Sequence, residues 1–129
     1  MSTTMTATLM VSATGTSPST AIHTFEAEAY DRIEISIPST ESSTVEVQPG
    51  SGQVQLLQIT ASAYPHAGDG TPQLTYTVDG GSAINLDAPL LAVGSGAVGL
   101  LGDVNSVEFD NQSDDTVNIQ IVVGRDATP

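Results

Sequence analysis

Few residues in this chain are of types that support chemistry, and they are scattered. Its two histidines are His23 and His66, and His66 precedes Asp69 by three positions, which would permit a metal-binding or acid–base site. One histidine and one carboxylate without further ligands are also ordinary loop composition. The segment 94–96 reads Gly-Ser-Gly but lacks the Gly-x-Ser-x-Gly pattern of a nucleophile turn. We therefore predict no catalytic residues and no enzymatic activity.

The polar segment Asp110–Asp115 is a second candidate, because hard cations such as calcium take oxygen ligands. It lacks the Asp-x-Asp-x-Asp-Gly arrangement, however, and segments rich in Asp and Asn commonly form turns for conformational reasons. We interpret it as a turn and predict no metal and no cofactor. Arg32 and Arg125 are the only cationic side chains, which leaves almost nothing to bind phosphate. Three Tyr, two Phe and no Trp offer little for an aromatic sugar-binding surface.

The composition of the chain excludes several classes of binding partner. The chain has 129 residues, a usual size for one domain, and no cysteine, so it forms no disulfide. A formal net charge of −13 opposes binding to nucleic acid and to anionic membranes, since both need clustered cations. No stretch reaches the roughly 18 apolar residues of a membrane span, and Met1–Met5 lacks the basic and apolar regions of a secretory signal. We therefore expect a protein made in the cytoplasm.

The clearest structural signal lies in the stretch 106–124. Alternate residues are apolar on both sides of the polar segment Asp110–Asp115, a pattern typical of strands with one buried face. We predict a β-hairpin here, with the second strand, Thr116–Gly124, in the centre of its sheet. The apolar residues expected to share one face are Val107, Phe109, Val117, Ile119, Ile121 and Val123.

Similar alternation recurs along the chain. It predicts strands over 21–29, 32–37, 44–48, 54–64, 74–78 and 84–86, separated by turn signals at 49–52, 65–72 and 79–82. Leu56 and Leu57 interrupt the alternation of the fourth run, which indicates burial on both faces or a bulge. Eight or nine strands, with long connections that suit crossings between sheets, predict an all-β fold, specifically a jelly-roll-like β-sandwich over residues 21–129.

Residues 1–20 differ from the rest, because 11 of the 20 are Ser or Thr. We predict that they form an N-terminal arm outside the sandwich. Two states are compatible with this composition: a frayed end, or an extended segment that adds a strand to a neighbouring subunit. In the second case we expect the arm to be mobile in the free protein and ordered on a neighbour.

The segment Ala88–Gly102 is apolar apart from Ser95, but its glycines and proline disfavour a regular helix. Two interpretations stay open: a long loop packed over one end of the core, or a subunit contact. If it is a contact, the chain self-associates as a dimer or trimer. The predicted interface residues are Leu90, Leu91, Val93, Val98, Leu100 and Leu101.

In general pattern the chain resembles the capsid decoration, or cement, proteins of tailed bacteriophages. The resemblance rests on the arm Ser2–Ser19, the alternating strands that end with Thr116–Gly124, and the glycine-rich apolar loop Ala88–Gly102. It implies a structural virion protein that binds the outer face of the capsid and stabilises it without an active site. The implied partner is the major capsid protein or another virion shell protein, and the implied location is the capsid surface.

Three alternatives compete with this interpretation. Another virion or tail protein, such as a fibre or baseplate adaptor, would share the composition. A carbohydrate- or calcium-binding β-sandwich would show glycan binding or a calcium-dependent change in melting temperature. A small hydrolase of unfamiliar type would lose activity when His66 is replaced.

Overall fold

The computed structural model describes residues 3–47, 54–101 and 104–125. Alternating apolar residues produce ten strands in these ranges, and the glycine-rich stretch near residue 97 forms one short helix. The elements are β1 (Thr3–Val11), β2 (Ser19–Ala27), β3 (Ala29–Ile37), β4 (Ser42–Glu46), β5 (Val54–Ala61), β6 (Leu74–Val78), β7 (Ala83–Asn85), β8 (Leu90–Val93), α1 (Ser95–Gly99), β9 (Ser106–Asn111) and β10 (Val117–Arg125).

Eight of the strands form two antiparallel four-stranded sheets that enclose the main hydrophobic core. One has the order β3-β10-β5-β8 and is called the β10 sheet; the other has the order β4-β9-β6-β7 and is called the β9 sheet. The prediction of an all-β sandwich is confirmed. The jelly-roll assignment stays a prediction. It is consistent with the connections between the strands β3 to β10. Only one pair of consecutive strands, β6 and β7, lies in the same sheet, and every other connection crosses to the opposite sheet.

Strand β10 occupies the centre of its sheet, as predicted. It pairs with β3 through Ile119↔Ile35 and with β5 through Ile121↔Ile59. Its alternate residues Val117, Ile119, Ile121 and Val123 are all buried in the main core. Because each strand beside β10 also alternates, the sheet presents one continuous apolar face to the β9 sheet.

The predicted hairpin of β9 and β10 is wrong. Val107 and Phe109 are fully buried, as expected, but β9 pairs with β4 and β6, in the sheet opposite β10. The polar segment between the strands therefore crosses from one sheet to the other. Alternation reveals which side chains face the core, but two strands that face the same core from opposite sheets show the same alternation as two paired strands.

The Asp-Gly signal after β6 correctly predicted a hairpin. Strand β6 pairs with β7 through Thr75↔Asn85, and the backbone amide of Gly81 donates to the carbonyl of Val78 at 3.0 Å. Asp79 and Gly80 both adopt positive φ values, 49° and 77°, as a type I′ turn requires. The loop 65–72 also lies where it was predicted, whereas the turn predicted over 49–52 falls outside the described residues.

Both explanations offered for Leu56 and Leu57 are correct. Leu57 lies in the main core, and Leu56 is buried on the opposite face of the β10 sheet. The pairing of β5 with β10 also shifts register, because Gly124 is opposite Leu56 while Arg125 is opposite Val54. The extra residue between them, Gln55, is a bulge that turns Val54 back toward the core.

The apolar segment 88–102 is more regular than a loop. Leu90–Val93 forms the edge strand β8, which pairs with β5, and Ser95–Gly99 forms the single helical turn α1. Pairing with β5 satisfies backbone groups that a buried loop would leave without partners, which explains the strand. Within the described ranges, no helix is long and apolar enough to cross a membrane.

Residues 3–20 of the predicted arm form a β-hairpin together with the remainder of β2. Strand β1 pairs with β2 over its whole length, from Thr3↔Ala27 to Val11↔Ser19, and residues 12–18 connect them. Within this chain the segment is thus paired as part of a hairpin, and whether it acts as an arm that becomes ordered on a neighbouring subunit stays a prediction. Weak alternation in β1 hid this pairing, because small and polar residues occupy much of both of its faces.

Ile119 and Gln120 provide a test of the β10 register. Ile119 is 1% exposed, so Ile119→Ala should lower the free energy of unfolding by about 2–5 kcal/mol through lost burial and the cavity left behind. Gln120 and Thr116 lie outside the core, and their replacement by Ala should change it by less than about 1 kcal/mol. Urea denaturation measures both. A larger loss for Gln120→Ala would show that the strand is displaced by one residue.

Candidate functional site

The base of the β1–β2 hairpin packs on the outer face of the β10 sheet. Met5, Ala7 and Ala27 form a second buried cluster with Leu56, and Phe25, Leu91, Val93 and Val122 pack around it. This cluster depends on Gly124, whose missing side chain leaves room for Met5. A Cβ atom at Gly124 would overlap Sδ of Met5 and lie 3.1 Å from its Cε. The hairpin is thus seated on the sandwich at a defined place.

Beyond this base, the hairpin extends away from the sandwich. Every residue from Thr8 to Thr24, here called the distal hairpin, is exposed, so neither face is covered. Its turn is closed by Thr16, whose amide and hydroxyl both donate to the carbonyl of Ala13, at 3.2 and 3.1 Å. Large apolar side chains are nevertheless present, since Val11 is 71% and Ile22 is 68% exposed. An isolated two-stranded ribbon is only marginally stable in water.

The two faces of the hairpin differ in chemistry. What we call the apolar hairpin face carries Met5, Ala7, Leu9 and Val11 of β1 with Ala21, His23, Phe25 and Ala27 of β2; its other members are Thr3 and Ser19, at its two ends. The imidazole of His23 stacks on Phe25 with 5.5 Å between ring centroids. The opposite face, here the threonine face, carries Thr4, Thr6, Thr8 and Met10 with Thr20, Ile22, Thr24 and Glu26. Only the first face continues the surface that packs on the sandwich.

Charge is segregated between the hairpin and the sandwich. Residues 3–25 contain no Asp, Glu, Lys or Arg, although the chain as a whole has a net charge of −13. Both arginines lie in the β10 sheet: Arg32 beside the hairpin, donating to Gln120 Oε1 at 3.4 Å, and Arg125 in an ion pair with Asp31 at 3.1 Å. The surface from which another molecule would approach the hairpin is therefore electrically neutral.

The outer face of the β9 sheet is acidic. Glu46 of β4 and Glu108 and Asp110 of β9 alternate with buried residues and point to solvent. The residues paired with them are Ser or Thr, so no cationic side chain of this sheet compensates the charge; the pairs are Glu46↔Ser106, Glu108↔Thr44 and Asp110↔Ser42. The outer face of the β10 sheet is mixed instead: Arg32 and Glu34 both lie on it beside the uncharged hairpin, whereas Arg125 pairs with Asp31 at the end of the sheet.

A groove of about 530 Å³ separates β1 from the β10 sheet. It is lined by the segment 3–8, by Arg32, Gln58 and Gln120, and by apolar side chains of the second cluster. This lining offers hydrogen-bond donors and acceptors but no carboxylate beside a histidine. The groove is a consequence of how the hairpin rests on the sheet, and its residues form no constellation for proton transfer or nucleophilic attack.

Segment Asp110–Asp115 is organised around Asn111, which is fully buried. Its side-chain amide donates to the carbonyls of Ile37, Pro38 and Asp115 at 3.1, 3.3 and 2.8 Å. Its Oδ1 accepts from the amide and hydroxyl of Ser113 at 3.0 and 2.6 Å. These bonds tie the crossing between the sheets to the end of β3 and support the interpretation as a turn.

His66 and Asp69, the pair considered as a possible site, bond to backbone groups. His66 Nδ1 is 2.9 Å from the carbonyl of Tyr64, while Asp69 accepts from the amide of Thr71 at 3.0 Å, so each bonds to the backbone of its own loop. The Thr71 hydrogen bonds lower the pKa of Asp69, and burial raises the pKa of Tyr76. Among the described residues, no three His, Cys, Asp or Glu are grouped as metal ligands.

The predicted interface residues of segment 88–102 are distributed over several environments. Val98 lies in the main core, and Leu90 and Leu101 pack against it. Leu91 and Val93 pack against the cluster beneath the hairpin. Leu100 alone among the six is largely exposed, at 88%. Five of the six therefore contribute to packing within the chain, and whether any of them contacts a partner stays a prediction.

Reasoning from sequence missed the distal hairpin as a surface. The sequence does contain a feature that marks this surface. The first 25 residues have no charged side chain in an otherwise acidic chain, and they include apolar residues among many Ser and Thr. Comparisons with known proteins add no assignment: no protein-family model, no curated protein and no solved structure matches this chain.

The contact of Met5 with Gly124 can be tested by adding one methyl group. Gly124→Ala should displace the flexible thioether end of Met5, so it should destabilise the protein by about 1 kcal/mol or less and accelerate amide exchange in the hairpin base. In a Met5→Ala background the same change should cost less, giving a coupling energy of about 0.5–1 kcal/mol. Gly68→Ala, which would contact nothing within 4 Å, is the matched control. Equal costs with and without Met5 would contradict the contact.

Replacing Asn111 tests the interpretation of Asp110–Asp115. Asn111→Ala leaves buried carbonyls without donors, each worth about 1–3 kcal/mol, so the loss of stability should exceed about 2 kcal/mol. Gln112→Ala, at the exposed neighbouring position, should stay within about 0.5 kcal/mol. Thermal unfolding in calcium and in chelator should give the same melting temperature. A calcium-dependent increase that is lost in Asp114→Asn would favour the calcium site instead.

Proposed function

We propose that the protein is a structural subunit that decorates the outer face of a phage capsid and reinforces it by binding the shell proteins. The observation that carries the proposal is the presence on one surface of an acidic sheet face and an uncharged, partly apolar, exposed hairpin. Such a surface is suited to holding other proteins together. The capsid as the particular partner comes from the resemblance to decoration proteins.

Electrostatics favours the outer face of the β9 sheet as the side that meets the shell. Glu46, Glu108 and Asp110 project from adjacent strands, with only Ser and Thr opposite them in β4, β9 and β6. A basic shell face would attract this surface over a distance of about a Debye length and raise the rate of association. Phosphate-rich partners would be repelled, in keeping with a position outside the shell and away from packaged DNA.

The role proposed for the hairpin replaces that of a flexible arm. Its base is packed against Leu56, so it can transmit force between the sandwich and whatever its distal half contacts. Deleting residues 1–18 would remove β1 and uncover Leu56, which makes truncation an unsuitable test of function. Point substitutions on exposed residues separate docking from folding.

Binding to empty shells tests the proposal. Full-length protein is mixed with undecorated shells assembled from the coat protein encoded beside it, and the association rate is followed over a salt series. The rate should fall as salt rises, and Glu46→Gln with Glu108→Gln should slow association by about threefold or more. Glu28→Gln with Glu34→Gln removes the same charge away from the β9 sheet and should have a smaller effect.

Two outcomes would contradict the proposal. One is the absence of binding to the shell at any salt concentration, or of any coat protein gene beside this one. The other concerns the face: if both pairs of substitutions slow association equally, net charge alone steers the protein and the β9 sheet is not the docking side.

A further inference from the structure

The distal hairpin is the part of the surface where electrostatic repulsion of another acidic molecule is weakest. Two copies of this chain that meet through their sandwiches bring together charges of −13 each. Like charges across a contact oppose association, and they do so most strongly when the contact excludes water. Residues 3–25 carry no such charge, so a contact between two hairpins separates the acidic bodies by the length of the projections.

The apolar hairpin face is continuous with a surface that is already used for packing. Met5 and Ala7 are buried against the sandwich, and Leu9 and Val11 follow them on the same face of the same strand. Exposure rises along this row from 9% at Met5 and 6% at Ala7 to 37% at Leu9 and 71% at Val11. The strand therefore continues an apolar surface past the point where its own sandwich can cover it.

The partner that fits is a neutral, apolar ribbon face of similar width. A second copy of the same hairpin has that chemistry, and a two-fold axis would place equivalent surfaces against each other. Packing would also support the two-stranded ribbon, which pairs with no other strand among the described residues.

We propose that two copies of this chain self-associate through the apolar faces of their distal hairpins, with Leu9 and Val11 at the centre of the contact. This replaces segment 88–102 as the main self-association surface. The inference does not depend on the capsid, because the contact is formed by the protein alone.

Salt separates this contact from shell binding. Screening weakens the repulsion between two acidic copies, so self-association should strengthen as salt rises, whereas docking on a basic shell should weaken. Sedimentation velocity of the full-length protein at about 0.02 M and about 0.5 M salt measures the first effect without any shell present. A dimer fraction that rises with protein concentration and with salt is expected. A monomer at every concentration and both salts would overturn the inference and leave the shell proposal unaffected.

Substitutions at adjacent residues test which face is used. Val11→Glu should raise the dimer dissociation constant by about tenfold or more, because it places a charge from each copy in the contact. Met10→Glu introduces the same charge on the threonine face, at a position 66% exposed compared with 71% for Val11, and should have little effect. Equal weakening by the two variants would overturn the choice of face. Dissociation by Leu100→Glu with no effect of Val11→Glu would return the contact to segment 88–102.

Discussion

Both layers of this molecule depend on the packing of strand β10. Its inward side chains, from Val117 to Val123, form the centre of the main core, and its pairing with β3 and β5 holds the sheet together. Near its end the opposite side of the same strand supports a second layer, since Gly124 leaves the space that Met5 fills. The hairpin base is therefore packed against the central strand of the sandwich.

The sequence was a good guide to which side chains are buried. Ile119, Phe109 and Val117 alternate with polar neighbours and are all in the core, because a strand with one buried face must have period-two hydrophobicity. It was a poor guide to which strands are partners. Strands β9 and β10 were expected to pair with each other, but they lie in opposite sheets. The side chain of Asn111 holds the connection between them by donating to the carbonyls of Ile37 and Asp115. From sequence alone, a buried Asn in a polar segment cannot be distinguished from an exposed turn residue, because its hydrogen-bond partners are distant in the sequence.

The candidate surface was harder to predict for a different physical reason. Val11 and Ile22 are exposed strand residues, and their side-chain type does not distinguish them from the Val and Ile residues of the core. Leu90 and Val98, in contrast, were predicted to lie in a contact between subunits. Both pack within the chain, where β8 pairs with β5. Exposure of apolar residues depends on the space that the remaining fold leaves, which requires tertiary structure. The absence of charge in residues 3–25 is the local feature that distinguishes the hairpin.

The central claim is that the hairpin packed on β10 is a surface for association. Its most direct test is amide hydrogen exchange of the full-length protein, measured at low and at high protein concentration. The account predicts slow exchange in β10 and at the hairpin base under both conditions, with protection of the distal hairpin that grows with protein concentration. Uniformly fast exchange throughout the hairpin at every concentration, beside a protected β10, would contradict it.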